Sequence, residues 1–189
     1  LKPGVTYGGG PDFINAIIVS SAATGWASET DAKINEFKIL LNGPAKSIVV
    51  ADKTLRTGMR YTKTYTLYPG RFTVEFKTDK PTGGLFSRGF YPIPGIYMDD
   101  KGNTVDMATA KDDAGISGKN PDPKWYAVRG KGWAHSCIAM SKFSNMSFWD
   151  PIGQIGFSSA NSDDVRVAYF VYGDQPDFSF AEQDWLRTR

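Results

Sequence analysis

The chain reads as an all-β protein: an antiparallel β-sandwich, jelly-roll or partial super-sandwich, closed by one short C-terminal helix. Three observations predict it. From Arg60 to Tyr68, Tyr61, Tyr65 and Leu67 fall on one face and Arg60, Thr62, Thr64 and Thr66 on the other; then Phe72, Val74 and Phe76 alternate against Arg71, Thr73, Glu75 and Lys77. A period of two is that of a strand, and threonine and aromatic side chains suit a pleated, half-buried surface. The chain is also punctuated throughout, with 20 Gly and 11 Pro in 189 residues, as many strands joined by tight turns require. Only the end carries a helix-start signal: Ser179 with Glu182 three residues on fits a capping box, and Trp185 and Leu186 continue the pattern.

Taken in order, residues 1–12 are rich in Gly and Pro and read as an arm. Phe13 to Ser21 is an apolar run that suits a buried strand or a short helix, since periodicity does not separate the two. Ser28 to Asp31 reads as a loop. Ile34 to Leu41 is a strand with Phe37, Ile39 and Leu41 on one face, Asn42-Gly43-Pro44 a turn, and Ser47 to Ala51 a β-branched strand. In Tyr68-Pro69-Gly70-Arg71, proline presets its own φ and glycine accepts a positive one, which predicts a type II turn. Type II is not the favoured hairpin turn, so this connection is expected either to bulge or to lead to a second sheet. Pro81 to Gly84 is a turn, Leu85 to Tyr91 a strand, and residues 109–124 a long polar loop. Trp125 to Val128, Ala134 to Met140, Gln154 to Ser158 and Val165 to Tyr172 are further strands. The last is apolar on both faces and is expected to be central. The whole is read as one domain, 1–189.

Lys and Arg number 22 and Asp and Glu 20. With that balance, and with no basic cluster, no nucleic-acid partner is expected. No apolar run reaches bilayer length, so no membrane span is expected. The single cysteine, Cys137, rules out an internal disulfide and sits among apolar neighbours. The composition suits an extracellular or cell-surface location.

Candidate chemistry is sparse. His135, the only histidine, lacks the second His or thiolate pair of a zinc site and reads as a structural, hydrogen-bonded residue. No Gly-x-Ser-x-Gly elbow accompanies it, and apolar flanks argue against a Cys137 nucleophile. Whether the chain is an enzyme stays open. Asp99, Asp100 and Asp106, with Asn103, form an oxygen-rich cluster of the kind calcium takes from a loop. The spacing is not that of an EF-hand, and Asp-Asp-Lys-Gly-Asn is also good turn chemistry, the preferred reading. Asn145-Met146-Ser147 matches a glycosylation triplet. The aromatics Tyr91, Tyr97, Trp125, Tyr126, Trp133, Phe148 and Trp149 lie near strand ends. Flat apolar rings suit the C–H faces of sugars, and Arg88 and Arg129 suit a carboxylate or sulfate. Alternation puts Trp125 with Arg129 and Tyr126 with Val128. If Tyr126 and Val128 are core, Trp125 faces outward. The candidate ligand-binding set is therefore Arg88, Trp125, Arg129 and Trp133.

The run Leu41 to Val50, with Asn42-Gly43-Pro44, followed by Tyr61 to Phe72 with its Tyr-Pro-Gly turn, resembles galactose-mutarotase-like super-sandwich domains of carbohydrate-active proteins. The resemblance covers about residues 36–78 and is one of strands and turns, so it carries over no catalytic residue. It implies a β-sandwich that binds or processes polysaccharide or oligosaccharide, as a carbohydrate-binding module or a lyase-associated domain. The alternative is a structural subunit of an extracellular or capsid-like assembly of identical chains, with strand exchange between neighbours. The Gly-rich arm and the lack of a convincing active site support that alternative.

Overall fold

The computed structural model describes residues 16–21, 25–29, 32–82, 84–90, 95–110, 118–149, 154–159 and 162–189. The expected arm 1–12, Tyr91, Asp112 and Asp113 lie outside the described residues, as do the side chains of Arg88, Phe148 and Trp149.

Fourteen strands and one helix follow in chain order among these residues. They are β1 (Ala16–Ser21), β2 (Gly25–Ser28), β3 (Lys33–Asn42), β4 (Ser47–Thr54), β5 (Arg60–Tyr68), β6 (Arg71–Thr82), β7 (Gly84–Phe90), β8 (Ile96–Asp99), β9 (Thr104–Asp106), β10 (Trp125–Gly130), β11 (Trp133–Ala139), β12 (Asn145–Trp149), β13 (Gln154–Ser159), β14 (Ser162–Tyr172) and α1 (Ser179–Arg187). They form a nine-stranded sheet, β3-β4-β5-β6-β14-β11-β10-β8-β9, and a five-stranded sheet, β12-β13-β7-β1-β2. Every pairing is antiparallel. The protein is all-β and sandwich-like with one short C-terminal helix, as its patterning predicts.

The sandwich core forms where the two sheets face each other. Tyr61, Val74, Phe76, Val165, Val167, Cys137, Tyr126, Val128 and Tyr97 point inward from the large sheet, and Ala27, Met146, Ile155 and Phe157 meet them from the small one. Tyr126 and Phe157 have ring centroids 5.2 Å apart, and the Tyr126 hydroxyl donates to the Ile155 carbonyl at 3.3 Å. A buried ion pair joins the layers. Glu29, just past β2, accepts from Lys63 Nζ on β5 at 2.6 Å and from Lys53 Nζ on β4 at 2.7 Å. Lys63 and Glu29 are both buried. Burial opposes the Glu29 charge, but the two ammonium groups outweigh it and hold the carboxyl below the usual range.

A second core lies on the outer face of the large sheet. Trp125, Ala127, Ala134, Ile138, Ala168 and Phe170 project there, and α1 covers them with Phe180 and Ala181. Buried Asp184 anchors the helix by accepting from Ser136 Oγ at 2.6 Å and from the Tyr172 hydroxyl at 2.5 Å. The expected capping box does not form. Ser179 is the first helical residue, and Phe178 stands at the N-cap without a side-chain bond. Asp177 accepts from the Ser179 N–H instead, while Glu182 accepts from Trp125 Nε1 at 2.8 Å. A carboxylate two residues upstream satisfies the open N–H, which frees Glu182 for docking.

Other departures are local. Tyr68-Pro69-Gly70-Arg71 neither bulges nor changes sheet. Tyr68 pairs directly with Arg71, and Gly70 takes a φ of 74°, as the third position of a type II turn requires. The change of sheet comes later: β6 runs through Pro81, read as a turn, and β7 then starts in the other sheet. β2, β8, β9 and β12 were not expected as strands. β14 lies in the middle of the large sheet, as its two apolar faces require.

Asp184→Ala leaves two hydroxyls without their acceptor at a buried site. The expected loss is about 3 kcal/mol, read as a lowered urea midpoint, with faster proteolysis within 173–189 as α1 loosens.

Candidate functional site

The expected sites are distributed as follows. Trp125 does leave the face of Tyr126 and Val128, but it is not exposed: at 4% accessibility it lies beneath α1. Arg129 shares that outer face and places its guanidinium 5.1 Å from the Phe178 ring centroid. Trp133 lies on the opposite, inner face with His135 and Cys137, packed against the sandwich core. A Cβ on Gly130 would stand 2.1 Å from Trp133 Nε1, so the glycine lets the indole fold across its own hairpin. Arg88 belongs to β7 in the other sheet. The four residues therefore do not converge on one surface.

The acidic cluster is committed to turns. Asp99 Oδ1 accepts from the Lys101 and Asn103 N–H groups, each at 3.0 Å, and Oδ2 from Asn103 Nδ2 at 2.9 Å. Asp106 caps the Ala108 N–H at 2.9 Å. Asp100 turns away to Asn120 Nδ2 at 2.7 Å and the Lys124 N–H at 3.1 Å. Among the described residues no three His, Cys, Asp or Glu come together in a group able to hold a metal ion.

His135 and Cys137 share the inner face but do not form a reactive pair. The His135 residue keeps some accessible area, but its ring is enclosed, with centroids 6.0 Å from Tyr126 and 6.2 Å from Tyr169. Burial pushes the imidazole down to about 4 and the Cys137 thiol up to about 12. Both are neutral at physiological pH, the wrong state for an imidazolium–thiolate nucleophile.

Two surface features stand out instead. The first is an open cleft of about 500 Å³ lined by Tyr68, Pro69, Gly70, Arg71, Phe170, Val171, Tyr172 and Arg187. The β5–β6 turn, the end of β14 and the last turn of α1 meet there. The Arg71 guanidinium lies 4.7 Å from the Tyr68 ring centroid and 5.9 Å from that of Phe170, and Lys46 Nζ lies 5.9 Å from Tyr68. Among the described residues no carboxylate pairs with Arg71. Arg187 stands 3.5 Å from Asp184, whose oxygens already take two short hydrogen bonds. The cleft thus combines cationic donors with aromatic walls. Burial, and then the Asp184 carboxylate, push the Tyr172 hydroxyl up, so it stays protonated.

The second feature is β3. It lies at the end of the nine-stranded sheet, and every one of its residues is exposed. Ile34, Phe37, Ile39, Leu40 and Leu41 are 59%, 61%, 61%, 62% and 44% accessible. Phe37 and Ile39 pair with Ala51 and Val49 and so continue the inner face, but among the described residues no part of the small sheet covers them. The sequence alternation places Phe37, Ile39 and Leu41 on one face of a strand; it does not say whether that face is covered.

No protein-family model and no curated protein sequence matches the chain.

The imidazole in the folded protein takes its proton near 4 rather than near its ordinary 6.5, so the unfolded chain binds that proton first. Stability should then be flat above pH 6.5 and fall from 6.5 toward 4. His135→Gln should flatten that limb in urea midpoints. The separate loss below about 4.5 should remain as Glu29, depressed from its ordinary 4.5, is protonated. Trp125→Ala, removing a core indole, should cost about 3–5 kcal/mol in the same measurement.

Proposed function

We propose that the protein is a structural subunit of an extracellular or capsid-like assembly, joined to its neighbours along the free edge of the nine-stranded sheet. The observation that carries this reading is β3: ten residues, all exposed, of which five are large and apolar. A monomeric soluble protein rarely leaves so contiguous an apolar stretch on an open sheet edge, where unpaired N–H and C=O groups invite another strand. A strand supplied by a neighbour, by exchange or by addition, would satisfy the backbone and cover Phe37 and Ile39 together. The neutral His135 and Cys137 are consistent with a protein whose role is contact rather than catalysis.

A second reading is favoured by the cleft. The Arg71 guanidinium, 4.7 Å from the Tyr68 ring centroid, offers N–H donors suited to a carboxylate or sulfate, and the aromatic walls suit the C–H face of a sugar. This arrangement supports the binding of an acidic oligosaccharide or polysaccharide at a cell surface, in keeping with the super-sandwich resemblance. Its site is the cleft, not the four residues expected from the sequence.

The assembly reading is tested by sedimentation over a wide concentration range. The chain should run above the mass of one copy, and Phe37→Glu should weaken association by roughly tenfold or more with an unchanged circular dichroism spectrum. A monomer at every concentration would sink it. For the second reading, Arg71→Ala should remove retention on an immobilised polyuronate that native protein shows at low salt. Retention equal to that of native protein would reject the cleft.

A further inference from the structure

We infer that the occupant of the β3 edge is β3 of a second copy of this chain, antiparallel about a two-fold axis at Phe37. The inference rests on the assembly reading and specifies its partner and register. Lys38 Nζ and Glu36 Oε1 form a 2.8 Å ion pair along the exposed strand, flanking Phe37. The register with β4 shifts between Ile34 and Glu36 and again between Ile39 and Leu41, so the stretch Glu36-Phe37-Lys38-Ile39 is the regular part of the edge.

A two-fold axis perpendicular to a sheet keeps each residue on its own face. Two copies of β3 can then meet only in registers that pair residues of the same face. With Phe37 opposite Phe37, Glu36 of each copy lies opposite Lys38 of the other. The two intrastrand ion pairs become a square of alternating charge, and the phenyl rings meet on the axis. The neighbouring allowed registers place Glu36 opposite Glu36 or Lys38 opposite Lys38, and like charges directly opposed are unfavourable. Charges on an edge strand ordinarily deter pairing. Here they are self-complementary and select one register instead. An isologous contact of this kind gives a closed dimer, with an eighteen-stranded sheet running through both copies.

The experiment is a charge exchange read by sedimentation at fixed ionic strength. Glu36→Lys and Lys38→Glu, at exposed positions, should each leave the circular dichroism spectrum unchanged. Each should weaken self-association roughly tenfold, because each creates two opposed like-charge pairs per dimer. The double exchange in one chain should restore the native dimer. An equimolar mixture of the two single variants should form the heterodimer that neither forms alone. If native protein associates but the single exchanges leave its affinity unchanged, this pairing is wrong and the assembly reading stands. If deletion of residues 1–12 abolishes association while the exchanges do not, the edge takes a neighbour's arm and the inference is overturned. If native protein is monomeric throughout, the assembly reading fails with it.

Discussion

The central strands of the large sheet carry apolar side chains on both faces, and both faces must be kept from water. β10 sends Tyr126 and Val128 inward and Trp125 and Ala127 outward, and β14 sends Val165, Val167 and Tyr169 inward and Ala168 and Phe170 outward. One layer cannot cover both sides. The five-stranded sheet covers the inner face and α1 the outer, so the protein is three layers thick at β10, β11 and β14 and thinner elsewhere. Strands lie about 4.8 Å apart, so nine span about 38 Å and five about 19 Å. The small sheet is too narrow for the large one. Side chains from connecting segments, Leu55, Met59 and Phe143 among them, join the same core, and the residues of β3 are left exposed.

The polar groups between layers follow the same geometry. Glu29 and Asp184 are both buried carboxylates, one between the two sheets and one between the large sheet and α1. Glu29 meets two ammonium groups, and Asp184 meets two hydroxyls and a guanidinium. A buried charge is tolerated only when paired, and removing one partner costs more than the pair contributes. These contacts therefore fix how the layers sit on one another more than they add to net stability. The Asp184 tie also brings the last turn of α1 to the β5–β6 turn, and the cationic cleft follows from that placement.

Legibility differed by kind of feature. Period-two alternation located most strands, and the face shared by Trp125 and Arg129 was read correctly. That Trp125 is covered was already implied by the strand itself, since Ala127 beside it and Tyr126 and Val128 opposite leave no polar face. The same argument did identify β14 as central. The cleft was not legible, because Tyr68 and Arg71 lie a hundred residues from Phe170 and Tyr172 in the chain. Nor was β3: an apolar face reads the same whether or not another layer reaches it. The acidic cluster was ambiguous between turn and ligand until the structure showed Asp99 and Asp106 accepting from N–H groups two to four residues further on.

By itself the sequence determined the local quantities: which residues are extended, where the chain turns, and which side chains share a face. These depend on neighbours within a few residues, through sterics and the pleat. The tertiary structure alone decided which apolar faces are buried, which cations converge, and which edge stays open. Those follow from the relative widths and offsets of the layers, a global property that no window of the chain contains.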